Sequence, residues 1–492
     1  MNSKINSDQR SFLYKQLAGE IEAKIRSGAF QPGEKLPSIR MLHRQLNVSI
    51  TTAHQAYLEL ETTGLIEARP KSGFYVSPVS LKQLRAPVHD RVSSGPRRVE
   101  LGSMVNAILK AITDPGMLPL GSSAISTELM PARHFARTMK DMSIREVQAR
   151  IGYSLTEGSP ELRRQLAVRT LGLLNGIDPE DIVVTNGCTE AVTLCLQAIL
   201  KPGDVLAVEA PTHFGFLQLF KSLSIMVAEV PTHPEYGVEI DALEELLNRT
   251  PVKACLFMPN FHNPLGSLMP DENKARLVEL LNRREIPVIE DDICGELFFE
   301  GNKRPSLLKQ FDRKALVLTC SSFSKTVAPG LRVGWTIPGK RFKEKVLRLK
   351  AASTVCTSTL DQHLIARFLD SGACERHMRK IRRAVKGQLL KTVVAIGKHF
   401  PEDTRLAVPS GGSLLWVGLH PSVDGLGIYR QALEEKISIL PGSACSLSGG
   451  FRNYIRIGCG HPFTEATEQG IQKLGRIIAD LAAGSKRTDF LS

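Results

Sequence analysis

The chain has no uninterrupted apolar run near the roughly 20 residues that cross a bilayer, which excludes a membrane-spanning helix. Its first residues, Met-Asn-Ser-Lys-Ile-Asn-Ser-Asp, lack the apolar core of a secretory signal. Paired cysteine spacing is missing too: the nine cysteines are an odd number, and most sit in apolar segments (Cys195, Cys255, Cys320). That excludes a disulfide framework and a structural zinc site, and points to reduced thiols in a cytoplasm. Acidic excess is also absent. The net charge is +13, and residues 1–98 carry 15 Lys and Arg against 8 Asp and Glu, so about half the surplus lies in a fifth of the chain. A basic N-terminal module suits nucleic acid, although solubility alone would also account for it. At 492 residues, with 42% hydrophobic and 23% charged content, the chain is long enough for more than one globular core.

In the N-terminal module, Leu13, Leu17, Ile21 and Ile25 recur at helical spacing until Gly28 and Pro32-Gly33. Ser38 is placed to cap a short second helix carrying Met41, Leu42 and Leu46. After the Asn47-Val48 turn, Ser49 can cap a third helix through Ala53, Ala56, Tyr57 and Leu60, which Gly64 closes. Leu65–Arg69 and Gly73–Val76 then read as two strands joined by Pro70-Lys71-Ser72. Three helices and a hairpin form a winged helix-turn-helix pattern. Ser38, Arg40, Ser49, Thr51, Thr52 and His54 would face bases and phosphates of double-stranded DNA, with Lys71 and Gly73 at the wing tip. A three-helix packing module with solvated polar faces is the alternative.

Residues 79–99 mix Pro, Ser and basic residues (Arg85, Arg91, Arg97, Arg98) with little periodicity, and read as a mobile tether.

From residue 100 to 484, helical stretches alternate with short apolar strands at Ile182–Val184, Val205–Val208, Ala254–Phe257, Val288–Ile289 and Leu316–Leu318. That alternation predicts a mostly parallel α/β sheet whose strand ends share one ligand-binding crevice. After the first strand, Gly187-Cys188-Thr189 opens a helix whose free N–H groups can hold a phosphate. After the second, His213 or Phe214 offers a flat ring for stacking. The third leads to Asn263-Pro264, which presents an amide, and the fourth to Glu290-Asp291-Asp292. One of these carboxylates can keep a ring nitrogen protonated. After the fifth strand come Ser322, Lys325 and Arg332, a set suited to an aldehyde cofactor bearing a phosphate. Arg456 lies inside an apolar strand and needs an anionic partner, either a substrate carboxylate or an internal acid.

Two resemblances rest on these residues. The run from Leu13-Tyr-Lys-Gln-Leu-Ala through Gly33-Glu-Lys-Leu-Pro-Ser-Ile-Arg40 to Ser72-Gly73-Phe-Tyr-Val76 resembles the GntR-type winged helix over residues 10–78. The large region resembles a fold-type I, class I/II aminotransferase, which implies pyridoxal 5′-phosphate and a smaller C-terminal α/β subdomain beside the large sheet. By that resemblance Lys325 forms the Schiff base, Asp291 pairs with the pyridine nitrogen and Asn263 bonds the ring hydroxyl. Gly187, Cys188, Thr189, Ser322 and Arg332 hold the phosphate, with Tyr153 reaching the phosphate of a partner subunit. Arg456 binds an amino acid carboxylate. The whole chain thus resembles the MocR subfamily of GntR-type regulators, which implies a homodimer, operator half-sites and an amino acid, amine or vitamer effector, in a bacterial cytoplasm and on the nucleoid when DNA-bound. It departs from the pattern in four places. Ile50 replaces a usual arginine, His54 another basic DNA contact, Cys294 a tyrosine beside the cofactor ring, and His213 the usual stacking aromatic. Capture by Lys325 is expected to survive, whereas Cys294 and His213 weigh against efficient transamination. The rival readings are a working aminotransferase with an accessory head, and a plain repressor with a vestigial large domain.

Overall fold

The computed structural model describes residues 7–27, 29–31, 33–62, 65–69, 72–76, 86–87, 95–99, 104–171, 173–174, 176–299 and 304–489. Gly28, Pro32, Gly64, Pro70, Lys71, Arg85 and Arg91, singled out above, lie outside the described residues. Among those described, no helix is long and apolar enough to cross a membrane. All nine cysteines are free thiols.

Helices α1 (Ser7–Ser27), α2 (Ile39–Leu46) and α3 (Ile50–Thr62) precede a wing of β1 (Ile66–Arg69) and β2 (Gly73–Val76), paired antiparallel with Arg69 opposite Gly73. Leu17, Ile21, Leu42, Ala53, Ala56, Tyr57 and Leu60 form its core. Tyr57 donates its hydroxyl to the Pro37 carbonyl at 2.5 Å, which ties α3 to the turn before α2. Three expected core residues are instead exposed: Leu13, Met41 and Leu46. Their spacing is helical, but each stands on a face of its helix that the head's core does not cover.

Arg97 and Arg98, expected in the tether, form a short strand, β3 (Arg97–Arg98), against the edge of the large sheet opposite Val227 and Met226. That sheet contains β4 (Val183–Thr185), β5 (Val205–Ala210), β6 (Met226–His233), β7 (Gly237–Val238), β8 (Val252–Phe257), β9 (Val288–Asp291), β10 (Val317–Ser322) and β11 (Gly334–Ile337). Its order is β3-β6-β5-β8-β9-β10-β11-β4, with β7 on β6. Strands β6, β5, β8, β9 and β10 are mutually parallel. Strand β11 is antiparallel to both β10 and β4, so β4 again runs with the parallel set. Alternate residues serve two cores: Leu206, Val208, Ile289 and Leu318 on one face, Val205, Ala207, Val288 and Val317 on the other. Burial on both faces explains why these strands read as continuous apolar runs.

A second, antiparallel sheet carries β12 (Arg405–Leu406), β13 (Leu414–Gly418), β14 (Leu440–Pro441) and β15 (Tyr454–Gly458) in the order β12-β13-β15-β14. The long helix Ala373–His399 and the C-terminal helix Glu465–Asp489 pack against it through Val393, Ile396, Ile471 and Leu474.

Candidate functional site

Because β4, β5, β8, β9 and β10 point one way, the residues after their carboxyl ends meet at one sheet edge. Strand alternation separates the three acids that end β9. Glu290 accepts from the Leu308 N–H (2.6 Å) and the Thr319 hydroxyl (2.9 Å), while Asp292 pairs with Arg304 and accepts from Asn260 at 2.8 Å. Asp291 points the other way. It accepts only the Cys188 thiol (3.3 Å) and the Ile293 N–H (3.1 Å), with no cation at ion-pair distance among the described residues. Burial pushes its carboxyl up to about 6.

Lys325 ends a single 3-10 turn (Phe323–Lys325) after β10, a turn capped by the Ser322 hydroxyl, which accepts from Ser324 N–H at 3.3 Å. Its Nζ donates to the Ser123 carbonyl (2.8 Å) and hydroxyl (3.0 Å). Burial, with the Arg456 charge adding to it, pulls the ammonium below the ordinary lysine range. A lysine more readily deprotonated is a better nucleophile toward an aldehyde. Ser123, in the loop after Leu120, was not anticipated; one serine in an irregular loop gives no periodic signal.

An anion cradle adjoins the lysine. Gly187 caps the helix Cys188–Ile199 at φ 88°, and a Cβ there would collide with the Arg332 guanidinium. Arg332 donates to the Asn186 carbonyl (3.2 Å), the Pro329 carbonyl (3.3 Å) and the Ser324 hydroxyl (3.4 Å). No carboxylate among the described residues neutralises it. A fixed guanidinium beside an open helix N-terminus is a phosphate-type site. Thr189 is exposed on that first turn, whereas the Cys188 side chain, expected at the phosphate, is buried and committed to Asp291. Only the Cys188 main chain remains for an anion. Ser324 joins Arg332 where the sequence pointed to Ser322.

Arg456 reaches the site from β15 of the second sheet, 1% exposed. Its guanidinium donates to Asn263 Oδ1 (2.8 Å) and the Gly121 carbonyl (2.6 Å), and its Nε has no partner. The internal acid considered as an alternative does not exist among the described residues, and burial pulls the guanidinium down to about 10. An unneutralised buried guanidinium is a receptor for a small carboxylate.

Asn263 also shares a hydrogen bond with His213 Nδ1 at 3.2 Å. Burial, then the charges of Arg456 and Lys325, push His213 down to about 3, so the ring is neutral. Phe214 is turned into the core of the second sheet, leaving His213 as the ring at the site. The Asn263 turn is braced from behind by buried His262, whose Nδ1 accepts from Leu265 N–H at 3.3 Å. Its Nε2 lies 3.3 Å from Glu209 but poorly aligned for a hydrogen bond, while Glu209 accepts from Met258 N–H at 2.7 Å. Cys294, after β9, is buried, and burial pushes its thiol up to about 12. Tyr153 takes part in none of these bonds and is 91% exposed.

At the other end of the chain, the expected DNA face is thinner than anticipated. The Ser38 hydroxyl caps α2 at Met41 N–H (3.2 Å), and the Ser49 hydroxyl caps α3 at Thr52 N–H (3.0 Å) and meets the Thr52 hydroxyl (2.8 Å). Thr52 is buried against the helical core, so it cannot meet a base edge. Arg40, Thr51 and His54 are exposed, and Gly73 starts the second wing strand at φ 110°.

Comparison with known proteins bears on both ends. Residues 115–474 match the family Aminotransferase class I and II, and residues 13–76 match Bacterial regulatory proteins, gntR family. The chain is 36% identical over 467 residues to the Uncharacterized HTH-type transcriptional regulator YjiR of Escherichia coli (strain K12), covering 94% of this chain and 98% of that one. It is 30% identical over 383 residues to the 2-aminoadipate transaminase of Thermus thermophilus, covering 77% of this chain and 95% of that protein. Among solved structures, the α-aminoadipate aminotransferase LysN, also of Thermus thermophilus and complexed with N-(5′-phosphopyridoxyl)-L-leucine, superposes with a TM-score of 0.72 at 30% identity, covering 78% of this chain and 96% of that one.

Proposed function

We propose that this chain, which belongs to the class I and II aminotransferase family and joins that domain to a gntR-family winged helix in the MocR manner, is a pyridoxal-phosphate-dependent, DNA-binding transcriptional regulator that senses a small carboxylate-bearing amine. The cofactor of that family is pyridoxal 5′-phosphate, and the residues present suit it. Asp291 is a buried carboxylate in want of a cation, Arg332 a fixed guanidinium in want of an anion, and Lys325 an amine with lowered basicity. When bound, the cofactor supplies an aldehyde that captures amines and a ring that withdraws electrons. Asp291 would hold the ring nitrogen, Arg332 with the Gly187–Thr189 turn the phosphate, and Asn263 the ring hydroxyl.

The observation that carries the sensing role is Arg456: a guanidinium buried without a counter-charge among the described residues, bonded to the Asn263 that flanks the cofactor residues. A carboxylate ligand would neutralise it and bear on the Asn263–His213 contact at once. Cys294 supports sensing over turnover, because its buried thiol is a poor proton donor beside Lys325. The second reading, a working aminotransferase, is favoured by the complete set of Lys325, Asp291, Asn263 and Arg456.

The regulator acts as a homodimer in this reading. Tyr153 is exposed, as are Ile144, Ile151 and Leu155 close to it in sequence, apolar side chains suited to burial against a second copy, where Tyr153 would reach the other phosphate cradle. Two heads then meet paired half-sites, and a ligand shifts their arrangement only through unequal affinity for the two states.

The test is a screen of amino acids and amines followed by the cofactor's visible spectrum, with and without DNA. A ligand that changes the spectrum and DNA affinity together is expected, and Arg456→Ala should lose the response to carboxylates while keeping the cofactor. Rapid, complete conversion of the cofactor to its amine form at ordinary enzyme rates would favour the aminotransferase.

A further inference from the structure

Ile50, the first residue of α3, is 53% exposed, a branched aliphatic side chain standing in water at the start of a 13-residue helix. The opposite face of α3 is buried through Ala53, Ala56, Tyr57 and Leu60. The exposed stripe over the first two turns reads Ile50, Thr51, His54 and Gln55, without an acid; Glu59 and Glu61 lie at the far end. Next to it, α2 exposes Arg40 and Arg44 and carries no acid. This surface offers cations where a phosphate backbone would pass and a neutral, methyl-bearing strip where a groove floor would lie. That charge distribution favours duplex DNA over a protein partner as the occupant.

Resting on the DNA-binding reading, the chemistry of the strip then narrows the sequence. The hydroxyl of the preceding residue, Ser49, is taken by Thr52, so the first side chain free to enter the groove is Ile50. An isoleucine has no donor or acceptor. Set against the amino or carbonyl edge of a base, it would strip water from that edge and return nothing. The one apolar group on a major-groove base edge is the C5-methyl of thymine. We infer that Ile50 reads a thymine methyl in each operator half-site, making it a specificity-determining residue for an A·T pair.

The experiment uses the full-length protein loaded with pyridoxal phosphate. Duplexes are selected from a random pool, and the enriched sequence is remade with uracil replacing thymine one position at a time, which removes only the methyl. One thymine in each half-site should be sensitive, with binding about fourfold weaker for uracil, the worth of roughly one buried methyl. In Ile50→Ser, thymine and uracil duplexes should bind alike at that position. A selected sequence with no uracil-sensitive thymine, or sensitivity that persists in Ile50→Ser, overturns the inference while leaving DNA binding intact. If no duplex is retained even at low salt, the DNA-binding reading falls and takes this inference with it.

Discussion

Asp291→Asn should make the cofactor-free protein more stable and its cofactor less stabilising. In the structure Asp291 is buried, accepts one thiol and one N–H, and faces no cation at ion-pair distance among the described residues. Burial lifts its carboxyl from an ordinary 3.8 to about 6. That difference of about two pH units, at about 1.4 kcal/mol each, means the ionised carboxylate costs the empty fold about 3 kcal/mol. The folded-state value is raised, so the penalty is complete above about pH 6 and fades as pH falls toward the unfolded value near 4. Asparagine keeps an acceptor for Cys188 and Ile293 but carries no charge. Denaturant unfolding of both cofactor-free proteins at pH 7 should therefore show the variant ahead by up to about 3 kcal/mol, with the gap closing toward pH 4. Adding pyridoxal phosphate should reverse the order, because the protonated ring nitrogen gives the wild-type carboxylate the cation it lacks. A cofactor-free variant less stable than wild type at pH 7 would refute the picture of an unpaired, desolvated carboxylate.

Three other perturbations probe the remaining parts. Lys325→Ala should hold pyridoxal phosphate without a covalent link; borohydride treatment followed by mass measurement should find cofactor fixed to the wild-type chain only, and label on the variant would mean another amine does the capture. His262→Leu removes the acceptor for the buried Leu265 N–H, at a cost of roughly 1–3 kcal/mol. Carboxylate affinity should fall with it, since the same turn presents Asn263 to Arg456; unchanged stability and affinity would show that the turn holds without the imidazole. Arg40→Ala should weaken binding to all duplexes and lower the slope of log affinity against log salt by about 1. A slope identical to wild type would remove Arg40 from the backbone contacts.

Local rules made much of this molecule legible. The winged helix emerged almost residue for residue, because short helices and a hairpin are set by caps, turns and spacing within a few positions. The strands that end in Gly187, His213, Asn263, Asp291 and Lys325 were visible as apolar runs, because burial on both faces leaves no room for polar alternation. The chemistry expected of Lys325, and of one acid among Glu290, Asp291 and Asp292, followed from residue type and position after a strand.

Contacts between distant segments were decided only in three dimensions. Reversed strand β11 and the placement of β4 beyond it are long-range pairings with no local cue. Which of three consecutive acids faces the site depends on strand alternation and on Arg304, Asn260, Thr319 and Leu308 consuming the other two. Cys188 turned from a phosphate contact into the partner of Asp291, and Ser49 and Thr52 from base contacts into a cap, because a nearby polar atom satisfies each first. Arg456 shows the division most clearly. The sequence alone showed that an arginine inside an apolar strand calls for an anion; only the fold showed it bonded to an amide and a carbonyl, with no acid beside it among the described residues.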